Sequence, residues 1–176
     1  SGGLYDEGFE KDRSAYSCNP ELSLPGVERA LQDLDAAVDY LKNRIDVDSG
    51  NMLIVGHSRG GILSIAYAGT RPDAFKGAVN FAGGWMSDRC PNPEAINAVT
   101  FRRGAAYRRP TLWLYGENDP FYGIEHSKRN FEEFVQAGGI GTFQTFKVTQ
   151  WSDGHGLVYF PELWQQHLDA YIDSLH

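Results

Sequence analysis

The chain has 176 residues, of which 41% are hydrophobic and 13% aromatic. This composition is enough for one sizeable core, so we expect a single domain over residues 1–176. The formal net charge of −7 argues against nucleic acid or an anionic membrane as a partner, because both favour a basic surface. No stretch approaches the roughly 18 consecutive apolar residues of a membrane span.

The first half of the chain predicts a leading segment, a helix, a strand and a second helix. Residues 1–25 lack periodicity and are expected to be irregular, opening on a polar stretch rather than a recognisable signal peptide. Apolar residues spaced by three or four over residues 27–45 predict an amphipathic helix. Four apolar residues at 52–55 predict a strand buried on both faces, and the small and apolar residues of 59–70 indicate a buried helix.

The second half continues the alternation of strands and helices. Strands are predicted at 78–82, 111–115 and 142–149, and helices at 94–104, 125–136 and from Pro161 onward. Alternation of this kind predicts a mostly parallel sheet between two helical layers, an α/β/α fold with right-handed crossovers. Reactive groups in such sheets collect in the loops beyond the carboxyl ends of the strands.

The sequence Gly56-His57-Ser58-Arg59-Gly60 fits the GxSxG pattern of a nucleophile elbow. A predicted strand precedes it and a predicted helix follows, which is the context that the pattern requires. We expect Gly56 and Gly60 to let strand and helix pass closely, and the helix start to direct N–H groups at an oxyanion. So short a pattern also occurs in plain Gly-rich turns. The predicted strand before it and the helix after it are what favour a nucleophile elbow.

A serine nucleophile needs a base, and the base needs a third group to orient it. His155 lies in a Gly-flanked loop after the last predicted strand and is the best candidate for the base. His57 is expected to pack or bond locally beside the serine, whereas His126 and His167 are expected on solvated helix faces. His176 is the chain terminus.

Asp119 is the best candidate for the acid, since it follows the third predicted strand directly. Its surroundings, Gly-Glu-Asn-Asp-Pro, also suit an ordinary turn. The order Ser58, Asp119, His155 along the chain is the order of an α/β-hydrolase triad. The rival carboxylates are Glu117, Asp153 and Asp88.

Taken together, residues 54–61, 114–119 and 153–156 resemble an α/β-hydrolase, closest to its dienelactone-hydrolase-like and prolyl-oligopeptidase-like branches. The resemblance extends from about residue 27 to the end of the chain. It implies that Ser58 is the nucleophile, Asp119 the acid and His155 the base, with the backbone N–H of Arg59 as one oxyanion donor. The enzymes that give the dienelactone hydrolases their name carry cysteine at the nucleophile position, so a lactone substrate does not follow for this chain.

The resemblance also predicts a partial fold. An α/β-hydrolase sheet has about eight strands and its elbow comes after the fifth, but here one helix precedes the elbow strand, and residues 1–9 resemble the segment directly after the fourth strand of these enzymes. We therefore expect the C-terminal part of a longer hydrolase, which is either a processing or proteolysis product or a chain that pairs with the missing N-terminal part or with another protomer. A compact minimal hydrolase is the alternative. The elbow strand would then have an open apolar edge, and the source of the second oxyanion donor is open.

The expected function is a serine hydrolase that cleaves a carboxylic ester or related acyl bond of a small molecule through an acyl-enzyme on Ser58. The alternatives are a serine peptidase of prolyl-oligopeptidase type and a non-catalytic hydrolase fragment. Trp85 follows the second predicted strand and Tyr122 follows Asp119. Each is expected either to line a substrate pocket or only to pack within its loop. The Arg59 side chain meets a substrate carboxylate or a neighbouring loop. No metal and no organic cofactor are expected.

Two cysteines, Cys18 and Cys90, lie in loop-like sequence beside asparagine and proline. They are compatible with one disulfide or with two free thiols, and neither has the spacing of a zinc ligand. Localisation depends on this choice: cytoplasmic if the thiols are free, periplasmic or secreted if they are bridged.

Overall fold

The computed structural model describes residues 16–149 and 153–175. Strands and helices alternate along this part of the chain, as predicted. In chain order the elements are α1 (Pro20–Lys42), β1 (Leu53–His57), α2 (Arg59–Thr70), β2 (Gly77–Phe81), α3 (Glu94–Arg103), β3 (Thr111–Gly116), α4 (Ile124–Gln136), β4 (Gly141–Phe146) and α5 (Pro161–Asp173). Short 3-10 helices, Gly104–Ala106 and Gly154–Tyr159, follow α3 and precede α5.

The four strands form one parallel sheet in the order β1-β2-β3-β4. Helices α1 to α4 contribute to the apolar core on one face, and α5 covers the other face together with the second 3-10 helix. The predicted α/β/α fold is therefore confirmed. Because all strands are parallel, their carboxyl ends meet at one edge of the sheet, where ligands bind in folds of this kind.

Trp113 of β3 lies at the centre of the larger core. It is fully buried, and its ring lies 4.5 Å from that of Phe101 and 5.1 Å from that of Phe134. Each side chain of this size contributes roughly 1.5–3 kcal/mol by its burial. Strand β3 is thereby fixed, and with it the loop that leads to Asp119.

The opposite face is anchored by two residues of α5. The hydroxyl of Tyr171 accepts a hydrogen bond from the Ala78 amide at 2.9 Å and donates one to the Pro110 carbonyl at 2.8 Å. Trp164 packs against Phe81 with ring centroids 4.8 Å apart and donates to the Leu157 carbonyl at 3.0 Å. Helix α5 thus holds the 3-10 helix that carries His155.

Helix α1 begins earlier than the sequence predicted. Asn19 caps it by accepting a hydrogen bond from the Glu21 amide at 3.0 Å, and Pro20 occupies the first helical position, where its missing N–H costs nothing. The prediction of an irregular segment is therefore wrong for residues 20–25, while residues 1–15 lie outside the described part. At the other end the helix stops at Lys42, before the predicted limit.

Strand β1 lies at an edge of the sheet. Leu53 and Val55 are 37% and 52% exposed, whereas Val79 of the neighbouring β2 is fully buried. The prediction that this strand is buried on both faces is wrong for the face that carries Val55, because α5 packs over β2 and β3 instead. The pairing of β1 with a further strand stays a prediction.

None of the helices in the described ranges is long and apolar enough to cross a membrane.

Candidate active site

Ser58 lies between β1 and α2 with φ of 58° and ψ of −123°. A positive φ in a residue other than glycine costs on the order of 1–3 kcal/mol and persists only where the surroundings enforce it. Here the Ser58 amide donates to the Phe81 carbonyl at 2.9 Å, and the Gly84 amide donates to the Ser58 carbonyl at 3.2 Å. The sharp strand–turn–helix geometry predicted for the GxSxG sequence is present.

Two glycines make this turn possible, but they are not the two that the sequence indicated. A Cβ on Gly56 would lie 1.9 Å from the Gly60 carbonyl oxygen, so this position requires glycine as expected. A Cβ on Gly60 would meet nothing within 4 Å, so the expectation that close passage requires glycine at this position is wrong. The second close approach is at Gly61, whose Cβ would lie 2.4 Å from Oδ1 of Asn80.

Asp119 and His155 form a hydrogen-bonded pair. Oδ2 of Asp119 lies 2.9 Å from Nδ1 of His155, and the aspartate side chain has no exposed surface. Its other oxygen accepts hydrogen bonds from the Phe121 and Tyr122 amides at 2.8 and 3.0 Å. A carboxylate so placed keeps the proton on Nδ1 and leaves Nε2 free to accept one.

The rival carboxylates have other partners. Asp153 accepts a hydrogen bond from the His155 amide at 2.9 Å and so caps the 3-10 helix. Asp88 accepts from the Gly123 amide at 2.9 Å. Glu117 is exposed and contacts Thr145. Of these four carboxylates, Asp119 is the one that the structure places on the imidazole.

The backbone and ring of His155 are held by aromatic neighbours. Its ring centroid lies 4.8 Å from those of Phe121 and His57, and 5.5 Å from that of Tyr122. His57 donates from Nε2 to the His155 carbonyl at 2.7 Å, and burial lowers the pKa of His57, which favours the neutral ring. His57 packs against neighbouring rings, which is one of the two expected outcomes, but its hydrogen-bond partner lies 98 positions away in the chain and is not local in sequence. Its position next to Ser58 was the only sequence signal for this role.

The Ser58 hydroxyl borders Tyr122. Burial raises the pKa of the Tyr122 phenol, while a hydrogen-bonding interaction with the Ser58 side chain lowers it. Within residues 16–149 and 153–175 the structure has no hydrogen bond from the Ser58 hydroxyl to His155. Catalytic hydrogen bonds of this kind are often long in the absence of substrate and tighten when it binds. Of the two predicted pocket residues, Tyr122 therefore lies directly at the candidate nucleophile.

The other predicted pocket residue, Trp85, is buried and packs against Arg59. The guanidinium of Arg59 lies 3.8 Å from the ring centroid of Tyr16 and 5.8 Å from that of Trp85, and its Nε donates to the Trp85 carbonyl at 3.4 Å. A disulfide joins Cys18 to Cys90, with Cα atoms 5.4 Å apart. This bridge fixes the segment of Tyr16 beside the loop that follows β2.

His126 is buried rather than solvated, so that prediction is wrong. Its Nε2 lies 2.9 Å from the amide nitrogens of both Asn97 and Asn130. Oδ1 of Asn97 in turn accepts hydrogen bonds from the Trp85 and Met86 amides at 2.9 Å. Helices α3 and α4 therefore support the loop under Arg59 through a polar cluster. The described residues contain no group of three or more His, Cys, Asp or Glu side chains suited to a metal ion.

This geometry, with an elbow serine and an Asp–His pair at the carboxyl edge of a parallel sheet, is that of the α/β-hydrolases. A sequence model described as the dienelactone hydrolase family matches residues 4–152. The chain therefore belongs to the dienelactone hydrolase family and has the fold of the α/β-hydrolases. Among curated proteins, no sequence matches it.

Solved structures share the fold at low sequence identity. An esterase from Pyrococcus furiosus is 15% identical with a TM-score of 0.64, covering 84% of this chain and 62% of its own. A SOBER1 variant from Arabidopsis thaliana is 18% identical with a TM-score of 0.60, covering 85% of this chain and 64% of its own. An acylaminoacyl peptidase from Pyrococcus horikoshii is 18% identical with a TM-score of 0.55, covering 74% and 24%. The chain thus spans less than two thirds of the length of each of these proteins.

Proposed function

We propose that the chain is a serine hydrolase that cleaves a carboxylic ester or related acyl bond of a small molecule through an acyl-enzyme on Ser58. The observation that most supports this is the 2.9 Å hydrogen bond between the fully buried Asp119 carboxylate and Nδ1 of His155. Burial of a carboxylate costs desolvation free energy, and its hydrogen bond to an imidazole is the arrangement that general-base catalysis requires. The left-handed backbone of Ser58 is a second, independent support.

In the proposed reaction Ser58 attacks the acyl carbon while His155 accepts its proton at Nε2. Asp119 keeps the ring oriented through Nδ1 and stabilises the imidazolium that forms. The Arg59 amide, at the start of α2, has no acceptor within the helix and is available to the oxyanion. His155 then returns the proton to the leaving group, and water releases the acyl group by the same steps.

A peptide substrate is the second candidate. The acylaminoacyl peptidase from Pyrococcus horikoshii shares the fold over 74% of this chain, and amide and ester hydrolysis use the same nucleophile, base and acid. We favour an ester, because esters are hydrolysed more readily than amides by the same three residues; the esterase from Pyrococcus furiosus shares the fold over 84% of this chain. Parallel assays with p-nitrophenyl acetate and an N-acetyl-alanine p-nitroanilide distinguish the two.

The test is intact mass spectrometry of the purified chain before and after treatment with a fluorophosphonate. We expect a single adduct that is absent from Ser58→Ala and retained by Ser49→Ala, a matched change at an exposed serine of the turn before β1. If the folded wild-type chain forms no adduct, or if Ser58→Ala still forms it, the proposed mechanism is wrong and the alternative of a non-catalytic fragment is favoured.

A further inference from the structure

We propose that the phenol hydroxyl of Tyr122 is a catalytic oxyanion donor, which acts together with the backbone amide of Arg59. This inference rests on the proposed serine hydrolase function and extends it. Hydrolases of this type stabilise the tetrahedral intermediate with more than one hydrogen-bond donor. The Arg59 amide is a backbone donor, and Tyr122 adds a side-chain donor that comes from the loop of the acid.

The position of the Tyr122 ring carries the proposal. The ring lies against Gly84: a Cβ on this glycine would come within 2.5 Å of Cδ1 and Cε1 and within 2.8 Å of Cζ, the atom that bears the hydroxyl. The amide of Gly84 donates to the Ser58 carbonyl at 3.2 Å. Because Gly84 is hydrogen-bonded to the Ser58 carbonyl, the ring lies beside the turn of the nucleophile, and the hydroxyl interacts there with the Ser58 side chain. The ring centroid lies 5.5 Å from that of His155.

The residue is rigid before any substrate arrives. Tyr122 is 5% exposed, its amide donates to Asp119 at 3.0 Å, and its carbonyl accepts a hydrogen bond from Ser127 at 3.3 Å. The same carboxylate thus orients the base and the proposed donor. A donor that is fixed in advance stabilises developing charge without a reorganisation cost, which is the main source of its catalytic value.

The phenol is also in the correct protonation state. Burial raises its pKa, while the interaction with Ser58 and the positive charge of Arg59 act in the opposite direction. The net shift is upward from an ordinary value of about 10, so the hydroxyl keeps its proton at neutral pH and can donate. The Arg59 guanidinium, held over Tyr16 and Trp85, strengthens that donor electrostatically.

Attack of Ser58 on the acyl carbon requires no proton transfer from Tyr122. Ser58 Oγ forms the new bond to the acyl carbon, its proton moves to Nε2 of His155, and the carbonyl electron pair moves onto the oxygen. The phenol donates a hydrogen bond to this oxyanion and keeps its own proton. When the electron pair returns, the bond to the leaving group breaks and His155 supplies that group with the proton.

The experiment compares the wild-type chain, Tyr122→Phe and Tyr40→Phe; the control tyrosine lies exposed on α1. The readouts are the rate of Ser58 phosphonylation by a fluorophosphonate and kcat and KM for p-nitrophenyl acetate. In Tyr122→Phe we expect both the phosphonylation rate and kcat to fall about 10²-fold, with KM unchanged within about twofold. Tyr40→Phe should match the wild type.

A second substitution tests the donor if Tyr122→Phe does not fold as judged by circular dichroism. Replacement of Tyr122 by 3,5-difluorotyrosine keeps the ring and acidifies the phenol. A donor role predicts that the fall of activity at alkaline pH moves to lower pH, because the phenolate cannot donate. A residue that only shapes the pocket would leave this pH profile in place.

The outcomes separate the inference from the proposed function. If the wild type forms the Ser58 adduct but Tyr122→Phe changes only KM, or changes no rate, the donor role is wrong and the serine mechanism stands. An unmoved pH profile in the difluorotyrosine protein has the same meaning. If the wild type forms no adduct, the proposed function itself fails.

Discussion

The substitution Asp119→Asn is the most direct test of the acid–base pair. The carboxylate is completely buried and accepts three hydrogen bonds, two from the Phe121 and Tyr122 amides and one from Nδ1 of His155. An asparagine can still accept the two amide hydrogen bonds with its oxygen. Its NH2 group then faces the imidazole, so His155 must carry its proton on Nε2, where the serine proton is to be accepted.

This change of tautomer sets the magnitude. With the base blocked and the imidazolium no longer stabilised, kcat should fall by about 10⁴, which corresponds to roughly 5 kcal/mol of barrier. Stability should change much less, because both amide hydrogen bonds persist, although they become neutral rather than charge-assisted. We expect a loss of about 1–2 kcal/mol and a Tm lower by roughly 2–8 °C for a chain of this size.

The assay is hydrolysis of p-nitrophenyl acetate, together with thermal unfolding to show that the variant is folded. Glu117→Gln is the matched control, since this carboxylate lies two residues away in the same loop and is exposed. Its activity should stay within about twofold of wild type. A folded Asp119→Asn that retains a tenth of wild-type kcat, or an equal loss in Glu117→Gln, would refute the assignment.

Three further predictions concern stability. Gly56→Ala should prevent folding, because its Cβ would lie 1.9 Å from the Gly60 oxygen, whereas Gly60→Ala should be neutral or stabilise by up to about 1 kcal/mol in urea unfolding; comparable losses in both would contradict the structure. Changing Cys18 and Cys90 together to serine opens a bridge between residues 72 positions apart and should lower the free energy of unfolding by about 4 kcal/mol; an unchanged urea midpoint would show that the bridge does not form. Burial lowers the pKa of His126, although Glu94 opposes this shift. The neutral imidazole therefore contributes its full share to stability above the unfolded pKa of about 6.5, and this contribution is lost as pH falls toward the folded pKa. His126→Gln should therefore lose less stability than wild type between pH 7.5 and 5.5, and an equal loss would remove His126 as a cause.

The local chemistry of each segment was readable from the sequence. The four buried or half-buried strands and the helices between them follow from apolar runs and three-to-four spacing, because these patterns reflect which face each element must bury. Ser58, Asp119 and His155 each follow a strand or stand in a Gly-flanked loop, and the structure joins two of them by a hydrogen bond. The order of these three residues, together with the motifs around them, indicated the resemblance to an α/β-hydrolase.

The start of α1 differs from the prediction made from local sequence. The apolar spacing predicted a helix from residue 27, but the cap at Asn19 and the favourable position of Pro20 let the helix begin upstream. Likewise, the apolar run at β1 predicted burial on both faces, yet Val55 is half exposed. Burial depends on which elements cover a strand, and apolar character alone does not say which face is covered.

The sequence by itself determined the fold class, the elbow and the order of the candidate triad, because each depends on residues that are close in the chain or on a simple alternation of elements. The tertiary structure alone decided which glycine is sterically required, that His57 holds the backbone of His155, that His126 is buried, and that Tyr122 lies over Gly84 beside Ser58. Apart from the approach of Gly56 to Gly60, these features depend on contacts between segments that are distant in the chain, and such contacts are fixed only when the sheet brings its strand ends together.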